Sequence, residues 1–181
     1  MAFYMRYCPH VPFLMKVDDD VAVHLDRLLD LWQMTKEATN NLFCSILNNT
    51  EPVRDPSSKW YASETKWPLA FYPLYCNGPF YIMGKEAARR MLSHSLRFPL
   101  FTMEDVFYTG LVAGSLGIKV VDWRDRILNH LEVIGFFSNQ SKMVLLPRYH
   151  QLIGFYLLHK VGQVYCKYKL TFKYNKLNFN N

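Results

Sequence analysis

Residues 13–32 read FLMKVDDDVAVHLDRLLDLW and place three consecutive aspartates, Asp18 to Asp20, between two different apolar patterns. The run from Phe13 to Val17 is short and apolar apart from Lys16, which predicts a strand buried on both faces, extended by Val21 to Val23. After the aspartates, apolar residues recur at i, i+3, i+4 and i+7 and predict a helix: Leu25, Leu28, Leu29 and Trp32. A buried strand, an acidic segment and an amphipathic helix in succession indicate the start of an α/β unit.

Further along the chain, local patterns predict two more strands and two more helices. The strands are FYIMG (80–84) and IKVVDW (118–123), and the helices are residues 85–96 and EDVFYTGLVAGSLG (104–117), the latter capped by Gly117. Residues 35–79 are rich in prolines, aromatics and turn formers, which predicts long ordered loops with short strands. The alternation favours an α/β fold with a mostly parallel sheet, in which ligands bind beyond the carboxyl ends of the strands. The aspartates lie at such an end.

The composition is that of a packed globular domain. Of 181 residues, 50% are apolar, 16% aromatic and 20% charged, which excludes a disordered chain. The net charge is +6 with scattered basic residues, so a solubilising surface is favoured over a nucleic-acid partner. No run reaches the about 18 apolar residues of a membrane-spanning helix, and the N-terminus has no apolar signal-peptide region.

The four cysteines leave two interpretations open. Cys8, Cys44, Cys76 and Cys166 form no C-x-x-C pair, so a structural zinc site is not expected. They are compatible with two disulfides in an oxidising compartment or with buried thiols. The glycosylation sequons at Asn48 and Asn139 add some weight to the oxidising compartment.

Two acidic segments are candidates for chemistry. Neighbouring carboxylates repel each other, and a divalent cation offsets that repulsion, so Asp18 and Asp20, on the same side of an extended backbone, are candidate ligands of Mn²⁺ or Mg²⁺. The alternative for this segment is a solvated acidic turn, because it does not fit an EF-hand calcium loop. Glu104 and Asp105 precede an apolar helical stretch, where a carboxylate caps free N–H groups or serves as a general base.

Five blocks of sequence resemble one enzyme family. In order, across roughly residues 4–130, they are YCPHVPF, FLMKVDDDVAV, VRDPSSKWYAS, YPLYCNGPFYIMG and FPLFTMEDVFYTGLVAGSLGI. Together they resemble the β-1,3-galactosyltransferase family (glycosyltransferase family 31), which includes N-acetylglucosaminyltransferases. The resemblance implies a GT-A-like nucleotide-sugar-binding fold. It also implies inverting transfer of galactose or N-acetylglucosamine from a UDP-sugar to a glycan hydroxyl in β-1,3 linkage, during protein or lipid glycosylation. Such enzymes use Mn²⁺ or Mg²⁺ on the lumenal side of the Golgi membrane.

The resemblance also assigns roles to residues. It implies that Asp20, Asp18 and His130 bind the metal, that Asp18, Asp19 and Gly78 bind the donor, and that Asp105 is the catalytic base. Glu104, Trp60 and Tyr61 would bind the acceptor, although packing in the core is an equally good interpretation of the two aromatic residues.

Only 17 residues precede Asp18, so the resemblance implies an N-terminally truncated member that lacks the first strands of the sheet. Residues 1–135 are then the C-terminal part of a catalytic domain, and residues 136–181 a helical extension and tail. Membrane association would require a segment outside this chain. The second hypothesis is an inactive fragment or pseudoenzyme that binds a partner glycosyltransferase.

Overall fold

A computed structural model describes residues 1–34, 38–129 and 144–146 of the chain. The fold is α/β. Its elements in chain order are α1 (Ala2–Tyr7), β1 (Phe13–Val17), β2 (Ala22–Val23), α2 (Leu25–Met34), β3 (Asn41–Leu47), β4 (Tyr75–Gly84), α3 (Lys85–Ser95), a π-helical segment (Val106–Val112) that continues into α4 (Ala113–Ser115), β5 (Lys119–Asp122), β6 (Ile127–Asn129) and β7 (Val144–Leu146). Short 3₁₀ turns lie at Ala38–Asn40 and Arg124–Arg126.

The main sheet is mixed, and the prediction of a mostly parallel sheet is wrong. Its strand order is β1-β4-β3-β5, in which β4 is antiparallel to both β1 and β3 and only β3 and β5 run parallel. The prediction of a β1 buried on both faces is also wrong: all five of its residues are half-buried. Within the described residues β1 is an edge strand that pairs with β4 alone.

Strand β4 divides the core into two layers. Tyr81 and Met83 point into a cluster with α3 and the π-helical segment, whereas Phe80 and Ile82 point into a cluster with Leu28 of α2. All of these residues are at most 2% exposed. The two-residue period of a strand thus places helices on both faces of the sheet.

The helices follow the predicted periodicities. Helix α2 confirms the pattern of leucines after the aspartates, and α3 confirms the helix predicted over residues 85–96. The third predicted helix is present but is largely π-helical. Gly117 ends it with a positive φ of 61°, a conformation that favours glycine, which confirms the predicted cap.

The stretch 38–79 contains longer strands than predicted. It contains β3 and the start of β4, which a disulfide between Cys44 and Cys76 joins. That bond confirms the disulfide interpretation for this pair, while Cys166 lies outside the described residues. The loop between the two strands, residues 48–74, has its own core, in which Trp67 and Tyr72 pack together. The seven-residue strand β3 was not predicted separately, because the prolines and turn formers of the following loop dominate the composition of this stretch.

Most of the predicted C-terminal extension, residues 136–181, lies outside the described residues, apart from β7. This strand pairs with β2 and β6 in a second, three-stranded sheet. None of the helices in the described part of the chain has the length and apolarity needed to cross a membrane.

Candidate active site

The three aspartates form a turn rather than a continuation of β1. The Asp18 N–H donates to the Pro79 carbonyl at 2.9 Å, and the Val21 N–H donates back to the Asp18 carbonyl at 3.2 Å. The chain therefore leaves the sheet after Val17, and Ala22–Val23 pairs separately with β7, so the predicted extension of the strand is wrong. Asp18 and Asp20 line a cleft, whereas Asp19 is exposed and lies outside its lining, in agreement with the predicted sidedness.

A lysine that the sequence interpretation did not single out ties this turn to β4. The Lys16 ammonium donates to the Asp18 carboxylate and to the Gly78 carbonyl. Lys16 precedes Asp18 by two positions, so the strand period places both on one face, and that spacing was the available signal. Asp20, by contrast, makes no hydrogen bond or ion pair with any residue that the structure describes.

Gly78 lies in a bulge of β4. Cys44 pairs with Tyr81, and Ile46 with Cys76, so five steps along β4 face two along β3. A Cβ built on Gly78 would lie 2.8 Å from Asp105 Oδ2. The glycine therefore lets the backbone of β4 approach the Asp105 carboxylate closely.

Asp105 is held at the start of the π-helical segment. Its Oδ1 accepts from the Val106 N–H at 2.9 Å, which confirms the capping interpretation. The buried Thr109 hydroxyl donates to the Asp105 carbonyl at 2.6 Å and accepts from the Cys76 N–H at 2.8 Å. The side chain of Asp105 is thus fixed by the Val106 N–H. Its backbone is fixed through Thr109 to β4, the strand that carries the disulfide-bonded Cys76.

Glu104 contacts Tyr81 of β4. Glu104 is exposed, yet its carboxylate accepts a hydrogen bond from the buried Tyr81 hydroxyl. Desolvation of the carboxyl group raises the pKa of Glu104, the carboxylates of Asp105 and Asp18 raise it further, and Tyr81 and Lys16 oppose the shift. Burial and the same carboxylate raise the pKa of Tyr81, which keeps it a proton donor.

These segments meet in one cleft of about 1110 Å³. It gathers six residues predicted for the site: Asp18, Asp20, Trp60, Gly78, Glu104 and Asp105. Tyr61 does not line the cleft, and His130 lies outside the described residues. Trp60 is 56% exposed with the Lys59 ammonium 4.4 Å from its ring centre, and Tyr61 is 38% exposed, so core packing is the wrong interpretation for both.

The cleft is acidic although the chain is basic overall. Five carboxylates line it against two lysines: Asp18, Asp20, Glu51, Glu104 and Asp105 against Lys16 and Lys59. A diphosphate entering such a cleft needs a cation. Within residues 1–34, 38–129 and 144–146 no group of three or more His, Cys, Asp or Glu side chains is arranged to hold a metal ion. The hard oxygens of Asp18 and Asp20 nevertheless fit Mn²⁺ or Mg²⁺, which take one or two carboxylates and complete their shell with water and phosphate oxygens.

Two tyrosines of the cleft wall were not predicted. Tyr72 and Tyr75 come from the end of the loop and the start of β4, and both are buried. Burial raises the pKa of Tyr75, a hydrogen bond with Thr50 opposes the shift, and the Asp105 carboxylate adds to it. The dense aromatic residues of the loop were a signal for such a wall, but they do not indicate which of them face the cleft.

The fold and the site define an α/β protein with an acidic cleft that joins a strand-end aspartate turn to a fixed carboxylate at a helix start. A model of the family described as Galactosyltransferase matches residues 1–124, and the chain belongs to that family. This confirms the resemblance seen in the sequence blocks.

Curated relatives give the same result. The chain is 34% identical over 116 residues to beta-1,3-galactosyltransferase 5 of Homo sapiens, a match that covers 64% of this chain and 37% of the relative. It is 33% identical over 121 residues to beta-1,3-galactosyltransferase 1 of Mus musculus, with 65% of this chain and 36% of the relative covered. The matched part therefore spans little more than a third of the length of these relatives.

Proposed function

We propose that this chain carries the cleft of an inverting hexosyltransferase. The reaction is transfer of galactose or N-acetylglucosamine from a UDP-sugar to a glycan hydroxyl, with formation of a β-1,3 linkage. The observation that carries the proposal is the convergence of Asp18 and Asp20, Gly78 and Asp105, from three separate segments, in one cleft. The names of the relatives support galactose as the first donor to test.

Asp105 is the base in this proposal. Its Oδ1 is engaged by the Val106 N–H, so Oδ2, which faces Gly78, is the oxygen that takes the proton of the acceptor hydroxyl. As that proton leaves, the acceptor oxygen attacks the anomeric carbon and the bond to the diphosphate breaks on the opposite side. Inversion requires the base and the leaving group to lie on opposite sides of the sugar.

Asp20 and Asp18 are the residues that hold the metal in this proposal, with His130, which lies outside the described residues, as a further ligand. Mn²⁺ or Mg²⁺ supplies neutralisation of the charge that develops on the departing UDP. Lys16 orients Asp18 and so leaves Asp20 as the more available ligand. Asp18 and Gly78 border the donor, and Glu104 and Trp60 border the acceptor.

The proposal extends to the cellular setting. The Cys44–Cys76 disulfide supports an oxidising compartment. We propose the lumenal side of the Golgi membrane as the setting, and a GT-A-like nucleotide-sugar-binding fold for the whole protein.

The test is sugar transfer by the full chain, with a panel of UDP-sugars and β-glycoside acceptors, with Mn²⁺ and with a chelator. Asp105→Asn is expected to lose about 100- to 10,000-fold in turnover, the usual contribution of a general base. Asp125→Asn is the matched control, because Asp125 is exposed, pairs with Arg126 and lies outside the cleft lining. Full activity of Asp105→Asn would contradict the mechanism, and a chain that neither binds UDP nor transfers sugar would favour the inactive-fragment hypothesis.

A further inference from the structure

The hydroxyl of Tyr72 is buried without a hydrogen-bond partner among the described residues. Tyr72 is 5% exposed and lines the cleft. A buried hydroxyl with no partner destabilises a folded protein by about 1–3 kcal/mol, and such groups are rare unless they serve a purpose. A ligand that enters the cleft is one such purpose.

The ring of Tyr72 is fixed on several sides. Ring centres lie 5.1 Å away at Trp67, 5.9 Å away at Phe101 and 6.1 Å away at Tyr75. The Tyr72 N–H donates to the Thr50 carbonyl at 2.9 Å, which holds the backbone as well. Ring packing and the backbone hydrogen bond therefore hold Tyr72 in the wall of the cleft.

The Tyr72 hydroxyl lies within electrostatic range of Arg54 and Asp105. Burial raises the pKa of Tyr72, the Arg54 guanidinium opposes the shift, and Tyr75 and Asp105 add to it. The hydroxyl is thus neutral and able both to donate and to accept.

Trp60 belongs to the same loop as Tyr72 and exposes its ring at the cleft. An exposed aromatic face and a hydroxyl that can donate and accept are the two features that recognise a sugar ring. Both residues line the same cleft as Asp105.

We infer that the Tyr72 hydroxyl binds the acceptor sugar, through a hydrogen bond to a ring hydroxyl adjacent to the one that Asp105 deprotonates. This inference rests on the proposed function and specifies how the same cleft holds its acceptor. Because the hydroxyl gains its only hydrogen bond on binding, its removal weakens the complex without weakening the free protein.

Tyr72→Phe tests the inference, and Tyr4→Phe is the matched control. Tyr4 is also 5% exposed, but its hydroxyl donates to the Val11 carbonyl at 2.5 Å and it lies outside the cleft lining. For Tyr72→Phe we expect the acceptor KM to rise about 3- to 10-fold with the donor KM unchanged, and a melting temperature no lower than that of the parent, because the variant no longer buries an unpaired hydroxyl. For Tyr4→Phe we expect the melting temperature to fall by about 2–4 °C, with both KM values unchanged.

A fall in the melting temperature of Tyr72→Phe without a change in acceptor KM, or a change in donor KM alone, would overturn the inference. If the parent chain does not transfer sugar, the proposed function fails, and binding of the methyl β-glycosides of galactose and N-acetylglucosamine is measured by ligand-observed NMR. Binding that weakens in Tyr72→Phe but not in Tyr4→Phe supports the inference. Equal binding in both variants, or no binding by the parent, overturns it.

Discussion

The two acidic segments of the cleft are built in opposite ways. In the turn Asp18–Asp20, one carboxylate pairs with Lys16, and Asp19 and Asp20 make no hydrogen bond within the described part of the chain. In the pair Glu104–Asp105, each carboxylate accepts a defined hydrogen bond, from Tyr81 and from the Val106 N–H. A weakly partnered set of charges suits a cation that arrives with the donor, whereas a fixed carboxylate suits proton transfer at a set position.

The largest effect that separates the two segments is expected at Asp20. We predict that Asp20→Asn weakens Mn²⁺-dependent UDP binding by at least about 10- to 100-fold. Loss of a group that only supports a metal ligand already has an effect of this size, and Asp20 is proposed as a ligand itself. Isothermal titration calorimetry with and without Mn²⁺ measures this. Asp105→Asn is expected to leave the same binding within about threefold, because the base faces the acceptor. Similar losses in both variants would remove the distinction between the segments.

Gly78→Ala displaces the Asp105 carboxylate in the Glu104–Asp105 pair. The added methyl group would lie 2.8 Å from Asp105 Oδ2, so the carboxylate must move. We expect turnover to fall by about 10- to 100-fold, as for other displacements of about 1 Å in an active site. Gly114→Ala is the control, since a Cβ there meets nothing within 4 Å. Equal turnover in the two variants, measured in the same transfer assay, would show that the close approach of Gly78 to Asp105 has no catalytic role.

Thr109→Val removes the link between Asp105 and β4. The Cys76 N–H then loses its acceptor, and a buried unpaired donor destabilises the fold by about 1–3 kcal/mol. We expect this loss in chemical denaturation, together with a fall in turnover but little change in UDP binding. Thr109→Ser keeps the hydroxyl and should recover most of the lost turnover. A serine variant as slow as the valine variant would contradict a role for these hydrogen bonds.

The smallest effect concerns Glu104 and pH. Its raised pKa means that the folded state retains this proton at pH values where the unfolded chain has released it. Stability from this group therefore falls as pH rises from about the usual value of 4.5 through the folded-state pKa. Glu104→Gln removes the ionisation, so we expect its melting temperature to exceed that of the parent by about 1 °C at neutral pH and to match it at about pH 4. Thermal melts at both pH values measure this, and a difference independent of pH would contradict it.

The sequence alone predicted those parts of the fold that local patterns encode. Local patterns predicted the leucines of α2, the apolar run FYIMG in the second half of β4 and the glycine cap at position 117. The direction of β3 relative to β4 is not local, because the loop 48–74 separates the strands and the Cys44–Cys76 bond joins them.

The candidate site shows the same division. Asp18, Asp20, Gly78 and Asp105 were found through their sequence blocks. Lys16, Tyr72 and Thr109 were not, because their roles depend on contacts across the fold, such as that of Lys16 with a carbonyl 62 residues away. A residue type common in cores becomes part of a site only through its neighbours in space.

The most direct test of the central claim is the structure of the product. The full chain is incubated with a UDP-sugar, a β-glycoside acceptor and Mn²⁺, and the new linkage is assigned by proton NMR. The donor carries its sugar in the α configuration, so the account predicts a β-1,3-linked product that forms only with a divalent cation and is lost in Asp105→Asn. An α-linked product, or the same product in the presence of a chelator, would contradict it.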